Sequence, residues 1–357
     1  MKSAVLMFGL LCILLTVAPR FAASAAANNR WPAVTPEEAG LDGQRLKTLF
    51  SNLAGDVHGD LKGVVILRHG KLVAESYFNG DDESTLHDIR SATKSITATL
   101  MGIAIQRRII GSVDDSIAEY LPHLPRDGKE KITIRDLLNM RSGLDADDAD
   151  DASPGNESRL DESADWIKSV YAVPVRTAPG RKYQYVSINA FLAGAIVQNA
   201  SKMHLEDFAE QYLFGPLGIT RYEWRHVPVD RTTGQGNLKI TTRDEAALGE
   251  LFLQKGRYDG HQIVNAEWIE QCTANQVPIS AVDPYADFYG YMWYTKAEQV
   301  GTRSVTAHFA SGNGGNKIYV MPSLDLVIAI TSSAYNQHYG QKRSQDILLE
   351  VLAATRP

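Results

Sequence analysis

Ser91-Ala92-Thr93-Lys94 is the only Ser-x-x-Lys in this chain, and it heads the apolar run Ser95 to Ile110. A serine and a lysine spaced this way share one helix face, a single turn apart. A hydroxyl is a poor nucleophile until a neighbouring base takes its proton, and a desolvated lysine can be that base. Taken alone the tetrad is a weak sign, since about one such match arises by chance in a chain of this length. Its setting strengthens it. Leu86 to Arg90 precede it with no helical stripe, whereas Ile96, Leu100, Ile103 and Ala104 have the spacing of a buried helix. Ser91 is therefore expected at a helix N-terminus, where unpaired N–H groups and the positive dipole end favour an oxyanion. An N-capping serine followed by a surface lysine is the plainer alternative.

Two further segments carry residue types that suit the same chemistry. Tyr185 lies in Pro179 to Asn189, just ahead of the apolar helix Ala190 to Val197. A phenol beside a serine–lysine pair can relay a proton, because a nearby ammonium lowers the cost of the phenolate; otherwise it is a packed aromatic. Phe309-Ala310-Ser311-Gly312-Asn313-Gly314-Gly315-Asn316 precedes a strand that ends at Pro322. Gly and Asn clusters are common turn chemistry, but glycine also lets backbone approach a ligand closely, as a second oxyanion N–H requires.

These groups need a scaffold. Gly63 to Arg68 and Lys71 to Phe78 flank His69-Gly70 and read as an antiparallel hairpin. Glu37 to Leu53 has helical spacing, and Ile132 to about Leu253 is mostly helical with Pro and Gly breaks. Short aliphatic and aromatic strands return at Tyr289 to Tyr294, Lys317 to Met321 and Leu326 to Thr331, before a last helix, Gln341 to Ala353. The expected fold is mixed α/β: an antiparallel sheet flanked by helices and built from the N- and C-terminal segments, with a mostly helical lobe inserted. The expected division is one domain over residues 30–355, its α/β lobe from about 30–95 and 285–355 and its helical lobe from about 96–284.

Met1-Lys2, the apolar run Ala4 to Val17 and Ala22 to Ala27 have the pattern of a secretory signal peptide, residues 1–25, which implies a periplasmic or secreted protein without a stable membrane anchor. Cys272 is then the one remaining cysteine, so no internal disulfide is expected and the thiol reads as a small buried hydrophobe. A net charge of −6 without a Lys/Arg cluster argues against a nucleic-acid partner. Asp145 to Asp165 is rich in acids. It reads as a solvated loop, or more sharply as an acidic rim beside the site that attracts cations. Gly234-Gln235-Gly236-Asn237-Leu238 reads as a chain reversal ahead of the helix at Thr242, or as a glycine-rich loop bordering the site; Trp166, Tyr171 and Trp293 read as core aromatics, or as the lining of an acyl pocket.

Together these segments resemble the penicillin-recognising serine hydrolases, the β-lactamase-like superfamily, and within it the branch of 6-aminohexanoate-dimer hydrolase and its esterase-like relatives. The resemblance also rests on Trp31-Pro32…Pro36-Glu37-Glu38-Ala39-Gly40-Leu41, Tyr77-Phe78-Asn79-Gly80, Ile134-Arg135-Asp136-Leu137-Leu138…Ser142-Gly143-Leu144 and Leu213 to Ile219. It implies a β-lactamase/transpeptidase-like fold, with Ser91 as nucleophile, Lys94 as the lysine of the same motif and Tyr185 as the tyrosine of a Tyr-x-Asn element. It also implies an oxyanion hole made by the backbone N–H groups of Ser91 and Asn313, and substrate contacts from Ser187, Ser311 and Gly312.

The chain departs from the family pattern twice. Ser187 stands where Tyr-x-Asn has its asparagine, and Ala310 where Lys-Thr-Gly has its lysine. Both departures count against efficient β-lactam hydrolysis and for substrates without a carboxylate near the scissile bond, with His308 or Arg303 the first places to look for a replacement cation. Glu157-Ser158-Arg159-Leu160-Asp161 resembles the Glu-x-x-Leu-Asn of class A β-lactamases and reads as coincidence. The expected activity is hydrolysis of small esters or amides through an acyl-serine, with no cofactor and no metal. A β-lactamase or D-Ala-D-Ala carboxypeptidase, and a non-catalytic binding protein on the same fold, are the alternatives.

Overall fold

The structure is a computed structural model that describes residues 30–228 and 231–356. The leader expected over residues 1–25 lies outside the described residues.

Strands β1 (Leu61–Arg68) and β2 (Lys71–Tyr77) form the hairpin read from the sequence. Its turn residues His69 and Gly70 both have positive φ, 54° and 65°, the turn geometry whose twist matches that of the strands. The rest of the main sheet comes from the far end of the chain: β3 (Val277–Pro278), β4 (Phe288–Tyr289), β5 (Tyr294–Val300), β6 (Arg303–Gly312), β7 (Asn316–Met321) and β8 (Leu326–Ser332). The order is β3-β4-β5-β6-β7-β8-β1-β2, with every neighbouring pair antiparallel. The β1–β8 pairing thus joins the two chain ends into one sheet.

Strands β7 and β8 are buried at every position, so both faces of the sheet centre are covered. Helix α1 (Gly43–Ala54) packs on the last helix of the chain, His338–Ala354, which lies on one face with Ile328 and Ile330. Helix Thr242–Leu253 takes the other face against Val327 and Ala329. The central helix α2 (Thr93–Gln106) is buried from Thr93 through Ala104 and packs on α3 (Ser187–Ser201). A helix apolar on all sides belongs in a core. A small sheet pairs His87–Asp88 with Leu238–Ile240, and the latter with Glu223–Trp224, which ties the segment before Ser91 to the glycine-rich loop.

Two sequence expectations change. Tyr289 to Tyr294 is not one strand: the chain turns at Gly290, where a Cβ would lie 2.1 Å from the Cys272 carbonyl oxygen, and at Met292, whose φ is 57°. Strands β5 and β6 are long, yet β5 and all but the end of β6 escaped the sequence reading because polar residues such as Lys296, Gln299, Ser304 and Thr306 interrupt their apolar pattern. Among the described residues no helix is long and apolar enough to cross a membrane.

Candidate active site

Ser91 lies in a short 3-10 turn, Arg90–Ala92, that runs straight into α2. Arg90, just before it, has a φ of +52°, a conformation that bulky side chains adopt only where the surroundings hold it. Those surroundings are visible: the Arg90 N–H donates to Asp88 at 2.9 Å, and its guanidinium stacks 4.0 Å from the Tyr335 ring centroid. Tyr335 in turn donates to the Asp88 carbonyl. The turn is fixed before any substrate arrives.

Lys94, one helical turn on, is 2% exposed. Its Nζ lies 3.0 Å from Ser91 Oγ, 3.1 Å from Ser187 Oγ and 2.8 Å from the Gln235 carbonyl oxygen. The Gln235 carbonyl can only accept. Ser187 Oγ donates to Glu157 Oε2 at 2.9 Å, so it accepts from Lys94 as well. Two of the lysine's contacts therefore require N–H donors, and the third, toward Ser91, takes either a proton or a lone pair. Burial pulls Lys94 toward the neutral amine, but Tyr185, Glu157 and Asp148 outweigh it, and its pKa lies above the ordinary lysine value. The simple picture of a lysine held neutral by desolvation does not hold here; neighbouring acids keep the proton on. Tyr185 presents its ring 5.3 Å from the ammonium.

Ser187 opens α3 after Val186, a residue that cannot cap a helix, and no side chain of the helix's own entry does so. A carboxylate from the acid-rich segment takes that part: Asp148 Oδ2 accepts from the Ser187 N–H at 2.6 Å, while its Oδ1 accepts from the Glu157 N–H at 3.1 Å. Anions at a helix N-terminus are favoured by the exposed N–H groups and the dipole. Glu157, read from the sequence as a chance match, thus stands in the lysine's hydrogen-bond network. The acidic segment is a wall of the site, because it folds back over the start of α3.

The glycine-rich loop is also more than a chain reversal. Gly234 presses on α3, where its Cβ would lie 2.8 Å from the Ala190 carbonyl oxygen and 3.1 Å from Gly194 Cα. That close approach delivers the Gln235 carbonyl to Lys94, and Thr97 Oγ1 secures the loop by donating to the Gly234 carbonyl at 2.6 Å.

The last wall is the end of β6. A Cβ on Gly312 would lie 2.1 Å from the Ile89 carbonyl oxygen, so glycine alone lets this strand pass the Ser91 turn. Beyond it Asn313 is pinned by paired contacts with Asn336, at 2.7 and 2.8 Å. Among the described residues neither the Ser91 nor the Asn313 backbone N–H has a protein acceptor. Ser91, Tyr185, Ser187, Ser311, Gly312 and Asn313 all line one cleft of about 990 Å³, with Asp148, Glu157, Gln235 and Lys317.

His308 and Arg303 do not serve this cleft. Strand alternation puts His308 on the face away from Ser311. There its Nδ1 meets Thr295 Oγ1 at 2.9 Å, and burial lowers its pKa to about 4. Arg303 is bound to Thr355. Trp166 and Trp293 are core residues, packed on Phe191 and Phe252. Cys272 is buried, and burial pushes its thiol well up. Glu157, Asp148, Gln235 and Lys317 were missed as site residues. Their only sequence signals were an acid-rich run, a glycine pair and a lone lysine inside an apolar strand.

A profile of the Beta-lactamase family matches residues 49–352. The 6-aminohexanoate-dimer hydrolase of Paenarthrobacter ureafaciens is 24% identical over 334 residues, which cover 87% of this chain and 82% of that one. Protein flp of Staphylococcus aureus (strain MW2) is 23% identical over 57% of this chain; the match spans 44% of flp, less than half its length. Among solved structures, a class C beta-lactamase superposes with a TM-score of 0.65 at 16% identity, covering 88% of this chain and 96% of its own.

Proposed function

We propose that this chain, which belongs to the beta-lactamase family of hydrolases, cleaves small esters or amides through a covalent ester on Ser91. One observation carries the reading: Ser91 Oγ lies 3.0 Å from a buried lysine whose other two contacts are fixed by a carbonyl and a hydroxyl. In the reactive form the Lys94–Tyr185 pair holds one proton fewer than ammonium plus phenol. It accepts the Ser91 proton as Oγ attacks the substrate carbonyl. The N–H groups of Ser91 and Asn313 hold the tetrahedral oxyanion, an effect worth about 3–4 kcal/mol per donor. The pair then gives the proton to the leaving group and helps water attack the acyl-enzyme. The similarity to a dimer hydrolase that spans most of both chains supports an amide or ester substrate over a purely binding role. A leader at the N-terminus would place the enzyme in the periplasm or outside the cell.

The experiment is turnover of a nitrophenyl ester, a chromogenic cephalosporin and a D-Ala-D-Ala peptide, with intact-mass measurement of the protein during each reaction. An acyl adduct on Ser91 with ester turnover is expected. No turnover of any substrate and no adduct would favour a binding protein, and preferred cleavage of the cephalosporin or the peptide would move the enzyme to the alternative classes.

A further inference from the structure

Lys317 is the second residue of β7, paired across the sheet with Ser311 of β6. It is 2% exposed, yet it lines the cleft that contains Ser91. Its Nζ donates to Ser311 Oγ at 2.8 Å and lies 4.5 Å from the centroid of the Phe309 ring and 5.9 Å from that of Tyr319. Among the described residues no carboxylate comes within ion-pair distance of it; Asp283, in the loop before β4, acts on it only through its field. Lysines are almost never buried without an anion, because taking an ammonium out of water costs several kcal/mol that one hydroxyl and two ring faces do not offset. A lysine kept this way at the wall of a cleft is a site waiting for a negative group.

We propose that Lys317, with Ser311, is the anchor for a carboxylate on the substrate, so that the natural substrates are anionic esters or amides. This rests on the acyl-transfer reading of Ser91 and reverses the expectation, drawn from Ala310, that uncharged substrates are preferred. Ala310 lies on the opposite face of β6 from Ser311 by strand alternation, so the cation comes from the neighbouring strand instead. Ser311 Oγ accepts from the ammonium, which leaves its own hydrogen free to donate to a bound carboxylate. That makes two donors, one of them charged, for two oxygens.

Burial lowers the Lys317 pKa to about 7, with Asp283 opposing. The ammonium is therefore present below that value and lost above it. Tyr294 on β5 and Tyr319 on β7, the buried phenols near it, are pushed well up by burial and stay neutral throughout; Tyr285 also lines the cleft there.

The test compares phenyl phenylacetate with its 3-carboxyphenyl counterpart, esters that differ in one carboxylate. At pH 6 the wild-type protein should favour the anionic ester in kcat/KM by about ten- to a hundredfold, the range of a charge-assisted contact. The ratio should fall as pH rises past 7, and Lys317→Met should remove it at every pH. A ratio that survives Lys317→Met, or a wild-type protein indifferent to the carboxylate, overturns the assignment. If Lys317→Met does not fold, the pH dependence of the wild-type ratio decides. A second measurement avoids turnover: calorimetric binding of 3-hydroxybenzoate to Ser91→Ala protein, expected to be lost in Ser91→Ala/Lys317→Met. Binding that depends on Lys317 in a protein that cleaves neither ester would sink the hydrolase reading and leave the anion site standing. Binding that does not depend on Lys317 would overturn the anion site.

Discussion

At the scale of the residue, the three contacts of Lys94 define what mutation should do. On the proposed acyl-serine reaction Ser91 and Lys94 act as one unit, so Ser91→Ala and Lys94→Ala should each remove nearly all ester turnover, and the double variant should be little slower than either. Steady-state kinetics on the three proteins checks this; a Lys94→Ala enzyme that kept a tenth of wild-type activity would rule the lysine out as proton acceptor. The acids around Lys94 hold its proton on. Glu157→Gln removes one of those charges while keeping an acceptor for Ser187, so the pair should lose its proton more easily. The rising limb of the pH–kcat/KM profile should move to lower pH. A residue that only braced the wall would change the melting temperature or the overall rate and leave that limb in place.

Elements meet at the site through glycines. Gly312 lets β6 pass the Ile89 carbonyl, and Gly234 seats the loop that carries Gln235 against α3. Gly312→Ala would put its methyl 2.1 Å from backbone oxygen, a clash that no rotamer relieves. The strand must move off the Ser91 turn and take the Asn313 N–H with it. Misplacement of about 1 Å at a reacting centre costs on the order of a hundredfold in rate. Gly312→Ala should therefore lose at least that much kcat/KM, with a stability loss of about 1–3 kcal/mol. Comparing denaturant midpoints with turnover per folded molecule separates the two effects; unchanged turnover would mean that the end of β6 does not set the oxyanion site.

For the whole molecule, acid stability is a readable property. His308 is neutral and half-buried between β5 and β7, with a pKa of about 4 against 6.5 for the ordinary imidazole. The folded protein therefore binds fewer protons than the unfolded chain between those values. The stabilisation is full above pH 6.5 and is lost as pH falls toward 4, by about 3 kcal/mol at most. Urea unfolding of wild type and His308→Gln at pH 7 and at pH 4.5 should show the wild type losing more on acidification. Equal losses would mean that the histidine is protonated without cost in the fold.

How much of this was legible beforehand follows from the range of each interaction. The Ser91–Lys94 pair, the β1–β2 hairpin, the buried α2 and the last helix depend on neighbours within a turn or two of chain, so spacing and turn residues determined them. Tyr185, Ser311, Gly312 and Asn313 were reachable only because their segments resemble a family pattern, since nothing local places a tyrosine or a strand end beside a distant serine. Glu157, Gln235 and Lys317 were not legible as site residues. Glu157 reaches Ser187, 30 positions along the chain. Gln235 contributes a backbone carbonyl to Lys94 across 141 positions, and any residue type has one. Lys317 looked like a single charge in an apolar strand, and only the pairing of β6 with β7 turns it toward the cleft. Sequence alone determined the helix that follows Ser91 and strands β1, β2, β7 and β8; which charges surround Ser91 was decided by long-range packing, because charge and burial depend on what the rest of the chain brings close.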